Sequence, residues 1–245
     1  EYLKLCDFPD QVISYEVDFT DAKVRPEDLV LRNSDGQVVP HQLTDVQLAE
    51  DGRLASARVL LRTDLPRGGT RKFMLTTRGD AQVSAFAPAG VVEPEGDDRA
   101  VLRVNRQAVR VPYGTHDYGE GRPAAEVPAP ILGVADGQGH WVGAGAFETP
   151  GEARVIKLEA GLIENGPLMA RYQIRYAFNN DRSYRVELTL YHDDAFVSVS
   201  EFYDGFSVED PVRLRFSLVP GLDPDHRLAL GNGGYEKHSG EFGRE

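Results

Sequence analysis

The segment 112–130, PYGTHDYGEGRPAAEVPAP, brings Tyr113, His116, Asp117, Tyr118, Glu120 and Arg122 within a few positions of one another. Tyr, His and Arg are residue types that can fill the three roles of a β-elimination on a uronate polymer. A cation neutralises the sugar carboxylate, a base takes the C5 proton, and an acid protonates the leaving oxygen. Tyr113, His116, Tyr118 and Arg122 are therefore the candidate catalytic residues. Hydrolysis of a glycosidic bond needs instead two carboxyl groups, roughly 5 to 10 Å apart, and Asp117 and Glu120 are the acids at hand. They are also the candidate substrate-binding residues where the chemistry is elimination. The segment has no periodicity, and connections longer than about 12 to 15 residues are uncommon in compact domains unless they bind something or are disordered. It is expected to be an ordered binding loop at the rim of a sandwich, the alternative being an ordered but inert loop.

A second polar group lies in the glycine-rich run 231–245, where Tyr235 and His238 are candidate substrate-binding residues on backbone free to approach a ligand. A loose chain end reads the same way, and that reading is preferred. His192-Asp193-Asp194 and Asp223-Pro224-Asp225-His226 could offer oxygens to Ca²⁺, the one cofactor these turns could serve. The plainer reading is preferred for both, a solvated hairpin turn at the first and two carboxylates that merely flank a proline at the second, and no metal site is assigned. The sequence has no GxSxG elbow, HExxH helix, phosphate-binding GxxxxGK[ST] or CxxC pair.

The elements that must position these side chains are strands. Over 168–178 every second residue is apolar (Leu168, Ala170, Tyr172, Ile174, Tyr176, Phe178), with Arg171, Gln173 and Arg175 between them. After Asn179-Asn180-Asp181, residues that tolerate left-handed backbone and favour turns, the alternation resumes with Tyr184, Val186, Leu188 and Leu190. A third strand over 195–203 and a fourth carrying Val212, Leu214, Phe216 and Leu218 complete an expected four-stranded meander with one buried face. This hairpin is expected to be structural.

Upstream, short runs over 12–17, 29–31, 38–43, 54–62 and 72–77 are each bounded by turn residues such as Asp35-Gly36 and Asp51-Gly52. Strands at about ten-residue spacing indicate an all-β unit, and Arg25-Pro26-Glu27-Asp28 is long enough for one helical turn only. The composition of 85–98, AFAPAGVVEPEGDD, suits a linker or a strand crossing between sandwiches, and the linker is preferred. Further strands are expected over 100–104, 108–111, 131–134, 140–147 and 153–158. The fold class is thus all-β: a small N-terminal β-sandwich over residues 1–85, then part of a larger antiparallel, supersandwich-like β-sandwich over 86–245.

The chain of 245 residues carries a net charge of −12, which argues against sequence-independent binding to nucleic acid. No apolar run approaches the roughly 18 to 20 residues of a membrane helix, so no membrane partner is expected. The lone Cys6 cannot form an internal disulfide and reads as a small buried hydrophobe. The absence of an initiator Met and the glycine-rich end suggest a fragment of a longer multi-domain protein.

The phrases LIENGPLMARYQIRYAF and YRVELTLYHDDAFVSVSE resemble paired strands of the large sandwiches in polysaccharide lyases and in the mutarotase-like domains of glycoside hydrolases. LVLRNSDGQVVPHQL and LLRTDLPRGGTRKFML are similar to the small β domain that precedes such sandwiches in exo-rhamnogalacturonan-lyase-like proteins. The resemblance is architectural and carries over no catalytic residue. It implies a carbohydrate-active protein of a secreted or periplasmic setting, with a polysaccharide or oligosaccharide as partner and further domains in the same chain. Two functions follow from it: the N-terminal β-sandwich region of a polysaccharide-degrading lyase or glycoside hydrolase, or a non-catalytic module that binds glycan or packs on a catalytic domain. In the second, Trp141, Tyr113 and Tyr118 could stack on sugars, although Trp141 sits in a strand-like run and is expected in the core.

Overall fold

A computed structural model describes residues 6–77, 86–136, 138–148, 153–194, 196–206 and 213–217, together with the backbone of 226–229 and 235–238. The described chain is built of antiparallel strands, with two single 3-10 turns at Pro26–Asp28 and Ala124–Glu126. The strands are β1 (Phe8–Asp18), β2 (Leu29–Asn33), β3 (His41–Leu48), β4 (Leu54–Leu65), β5 (Phe73–Thr77), β6 (Gly90–Pro94), β7 (Arg99–Val104), β8 (Gln107–Pro112), β9 (Gly114–Pro123) and β10 (Gly133–Ala135). They continue as β11 (Trp141–Val142), β12 (Ala144–Phe147), β13 (Arg154–Asn165), β14 (Met169–Phe178), β15 (Ser183–Tyr191), β16 (Val197–Asp204), β17 (Leu214–Ser217), β18 (His226–Ala229) and β19 (Tyr235–His238).

The period-two pattern sets the centre of the molecule. In β14 and β15 the pairs Tyr172↔Leu188, Ile174↔Val186 and Tyr176↔Tyr184 share one buried face, since directly opposed residues in an antiparallel ladder point the same way. Asn180 and Asp181 close the hairpin with φ of 62° and 55°, the left-handed angles that short hairpin turns demand. This sheet has the order β16-β15-β14-β13-β9, and a second five-stranded sheet, β11-β10-β8-β7-β6, covers it. Leu102, Val104, Val109 and Val111 of the covering sheet join the Tyr172–Leu190 face in one apolar core. Two phenols span the layers: the Tyr172 hydroxyl donates to the Pro112 carbonyl at 2.7 Å and the Tyr176 hydroxyl to that of Pro128 at 2.8 Å.

Three expectations are corrected. Residues 90–94, read within a linker, form the edge strand β6, paired with β7 from Gly90↔Val104 to Pro94↔Ala100; the Asn165 side chain fixes it by bonding both the Gly90 N–H and carbonyl. The fourth strand of the meander is absent from the sheet: Leu214–Ser217 pairs with β12 instead. Its Phe216 ring lies over Gly143, where any β-carbon would collide with it, so bare backbone accepts the ring and directs the strand there. Cys6 is exposed, because it precedes β1 and no layer covers it.

Residues 8–77 form two small sheets, β1-β4-β3 and β2-β5, around Phe19, Val24, Leu29, Leu54, Ala57 and Val59. They meet the large sandwich through Leu60, Leu168 and Met169 and through polar ties. Arg171 holds Glu164 at 2.6 Å and Asp45 at 3.0 Å. Arg62 holds Asp10 at 2.6 Å and Asp193 at 3.0 Å. Buried Gln42 accepts the backbone N–H groups of Leu168 and Met169 at 3.1 and 3.0 Å. A Gln42→Leu substitution orphans both, at about 1–3 kcal/mol for each buried donor. The expected result is a lower urea midpoint with an unchanged slope, the signature of lost stability without loss of cooperative unfolding.

Candidate functional site

The segment 112–130 is not a loop. Its middle is β9, the edge strand of the large sheet, paired with β13 through Ala160↔Gly114, Leu158↔His116 and Lys157↔Asp117. Pairing then breaks and resumes at Val155↔Arg122, so that Tyr118, Gly119, Glu120 and Gly121 stand opposite Ile156 alone. This wide bulge follows from glycine: Gly119 and Gly121 have φ of 59° and 92°, and a β-carbon on Gly121 would lie 2.9 Å from that of Arg154. The Arg154 guanidinium clamps the bulge by donating to the carbonyls of Glu120 and Gly121. The three glycines also interrupt the alternation that would have marked a strand.

The bulge gathers three of the predicted catalytic residues. The rings of His116 and Tyr118 stack with centroids 6.2 Å apart and planes 12° apart. The Arg122 guanidinium carbon lies 4.8 Å from the Tyr118 centroid. His116 pairs with buried Leu158, which puts it on the core-facing side, and Tyr118 packs against the rim of the core. Tyr113, half-buried, takes part through its backbone: its carbonyl lies 2.8 Å from His116 Nε2. A carbonyl can only accept, so Nε2 carries the proton and the neutral ring keeps Nδ1 as its basic nitrogen.

Burial raises the Tyr118 phenol above its ordinary range, with the Arg122 charge opposing the shift and Asp98 adding to it. A phenol is already protonated at neutral pH, and this shift holds Tyr118 more firmly in that hydrogen-bond-donating form while making it a weaker acid than a free tyrosine. No carboxylate among the described residues forms an ion pair with exposed Arg122. The site thus combines a phenol donor, an imidazole and an uncompensated cation on one sheet edge.

The predicted substrate-binding acids are divided. Asp117 pairs with Lys157 on the opposite face of the sheet, and its Oδ1 accepts the Gly119 N–H at 2.9 Å. Glu120 is exposed at the tip of the bulge. Tyr235 and His238 stand at the two ends of β19, which pairs with β18; their side chains lie outside the described residues. The Asp223–His226 turn, apart from His226, also lies outside them. In the other turn Asp193 is committed to Arg62 at 3.0 Å and to Asn105 at 2.6 Å. No three His, Cys, Asp or Glu side chains among the described residues are grouped to hold a metal ion. No helix among the described residues is long and apolar enough to cross a membrane.

Trp141 is half-buried in the short edge strand β11, with the Arg110 guanidinium 4.1 Å from its ring. It is outside the core, because its partner Ala135 sits on the outward face of β10, and one face of the indole is already covered.

Two features were not expected. Asp98 enters the Tyr118 environment and accepts the Tyr113 N–H through its carbonyl at 2.9 Å. Glu201 occupies a core-facing position opposite Val186, accepts the buried Tyr184 hydroxyl at 2.5 Å, and borders a mostly apolar cavity of 220 Å³ between Ile131 and Phe216. Its signal was in the sequence: Val197, Val199, Glu201 and Tyr203 alternate along the edge strand, and an acid interrupts the apolar run, although Val199, Glu201 and Tyr203 stay exposed at this open edge. No protein-family model matches the chain, and no curated protein matches it in sequence.

Proposed function

We propose that the chain is the β-sandwich region of a polysaccharide-degrading enzyme of the lyase type, acting on a uronate-containing glycan. The observation that supports this reading is the convergence of His116, Tyr118 and Arg122 on the β9 bulge. In it, Arg122 neutralises the sugar carboxylate and so acidifies the C5 proton. His116 accepts that proton, and Tyr118, protonated at neutral pH as a phenol is, gives one to the leaving oxygen. The hydrolytic alternative has less support, since Asp117 faces away from this group and spends one oxygen on the bulge backbone. A secreted or periplasmic setting and further domains in the chain belong to the same reading.

The test is a panel of acidic and neutral polysaccharides incubated with the intact protein, following ultraviolet-absorbing unsaturated ends beside total reducing ends. Elimination produces both together on a uronate polymer. Reducing ends without unsaturation would establish hydrolysis instead, and binding without products would establish a non-catalytic module. Either outcome overturns the lyase reading.

A further inference from the structure

A groove on the outer face of β13–β16 lies on the side of the sheet away from the core and from Tyr118. Two adjacent cross-strand rows form it. One runs Lys157–Ala177–Ser183–Asp204 and the next Glu159–Arg175–Arg185–Phe202. Short side chains at the centre of the first row, between long ones at its ends, leave a depression of 280 Å³.

Its charges are unusually placed. Lys157 and Glu159 satisfy each other at 2.7 Å, but Arg175 and Arg185 face each other directly across the ladder. Like charges in that position weaken a sheet unless an anion sits between them. Exposed Arg175 makes no hydrogen bond or ion pair to any described residue, and the Glu159 carboxylate opposite it across the ladder feels its charge. Arg185 Nε is buried without a hydrogen-bond partner, although it forms an ion pair with Glu187 Oε1 at 3.6 Å. The Arg185 guanidinium carbon lies 4.0 Å from the Phe202 ring, and Phe202 remains 43% exposed. In a chain of net charge −12 the groove sets three cations, Lys157, Arg175 and Arg185, against two acids, Glu159 and Asp204, beside an aromatic wall.

We propose that the groove binds the carboxylate-bearing ring of an acidic glycan. The two guanidinium groups take the carboxylate as a fork, the planar match that Arg makes and Lys does not. The open part of Phe202 packs on the apolar face of the sugar, and Ser183 and Asp204 bond its hydroxyls. The inference rests on the glycan reading above for its choice of sugar, and it concerns a separate site that would hold the polymer rather than cleave it.

Calorimetric titration of the full chain with galacturonate, glucuronate and mannuronate trisaccharides tests it, beside their methyl esters and a sulfated trisaccharide of equal charge. The expected result is binding of at least one uronate, with its ester and the sulfated sugar each about tenfold weaker or more. Arg175→Ala and Arg185→Ala each lower the affinity about tenfold, and Arg175→Lys does not restore it. Arg175→Ala also melts no lower than the parent, because it relieves the facing charges. No binding by any uronate, equal binding of the sulfated sugar, or affinity that survives both alanine substitutions would overturn the proposal. Binding lost in Arg122→Ala but kept in both groove variants would overturn the groove and leave the β9 site standing.

Discussion

A Tyr176→Ala variant is expected to lose about a fifth or more of the stability of the fold. Tyr176 is 1% exposed and meets Phe147 edge-on at 5.0 Å and Tyr184 in a stack at 5.9 Å. Removing a large buried aromatic ring costs about 3–5 kcal/mol, because the surroundings collapse only in part. The same change strips the Pro128 carbonyl of its donor. Against a net stability of about 5–15 kcal/mol, the melting temperature should fall by roughly 10 °C or more for a chain of this size. Tyr176→Phe keeps the ring and loses only the hydrogen bond, about 1 kcal/mol. Calorimetric melting of the two variants separates packing from polar bridging. Equal melting temperatures for Tyr176→Ala and the parent would show that the aromatic cluster does not hold the layers together.

The second large effect concerns turnover. Arg122→Ala is expected to reduce the release of unsaturated product by about 10²–10³-fold, the usual loss when one charge-stabilising group is removed. Tyr118→Phe, which keeps the stack with His116 but has no proton to give, should cost about 10²–10⁴-fold. Arg122 is exposed and makes no ion pair with a described residue, so its removal should leave melting unchanged, and an activity loss reads as chemistry. Arg122→Lys should recover part of the rate. If Arg122→Ala and Tyr118→Phe both turned over at the parent rate, the β9 bulge would not be the site of elimination.

The fold was legible wherever one face of a strand is buried and the other wet. Tyr172, Ile174 and Tyr176 announce β14, and Asn180-Asp181 announces its turn, because side-chain period and left-handed tolerance are local properties. The bulged strand was illegible for the same reason: Gly114, Gly119 and Gly121 erase the alternation, and only pairing with Arg154–Ala160 reveals a strand there. The departure of Leu214–Ser217 to β12 depends on the bare backbone of Gly143, far away in sequence. At the site, the residue types were visible but their sidedness was not. Asp117 and His116 are neighbours in sequence and lie on opposite faces. Arg175 and Arg185 become a pair only when the register is known.

The β9 bulge also bears on how the protein behaves in a crowded solution. An unpaired sheet edge is a template: a second chain can dock on it if several successive N–H and C=O groups point outward in step. Along β9 that sequence of groups is broken by four displaced residues, two of them glycines in left-handed conformation, and two carbonyls of the bulge are already occupied by Arg154. Pro123, which has no N–H to offer, ends the strand. The geometry that sets His116, Tyr118 and Arg122 together therefore guards this flank of the sheet against strand-by-strand aggregation, so a substitution that straightened the bulge would endanger solubility as well as the placement of these three side chains.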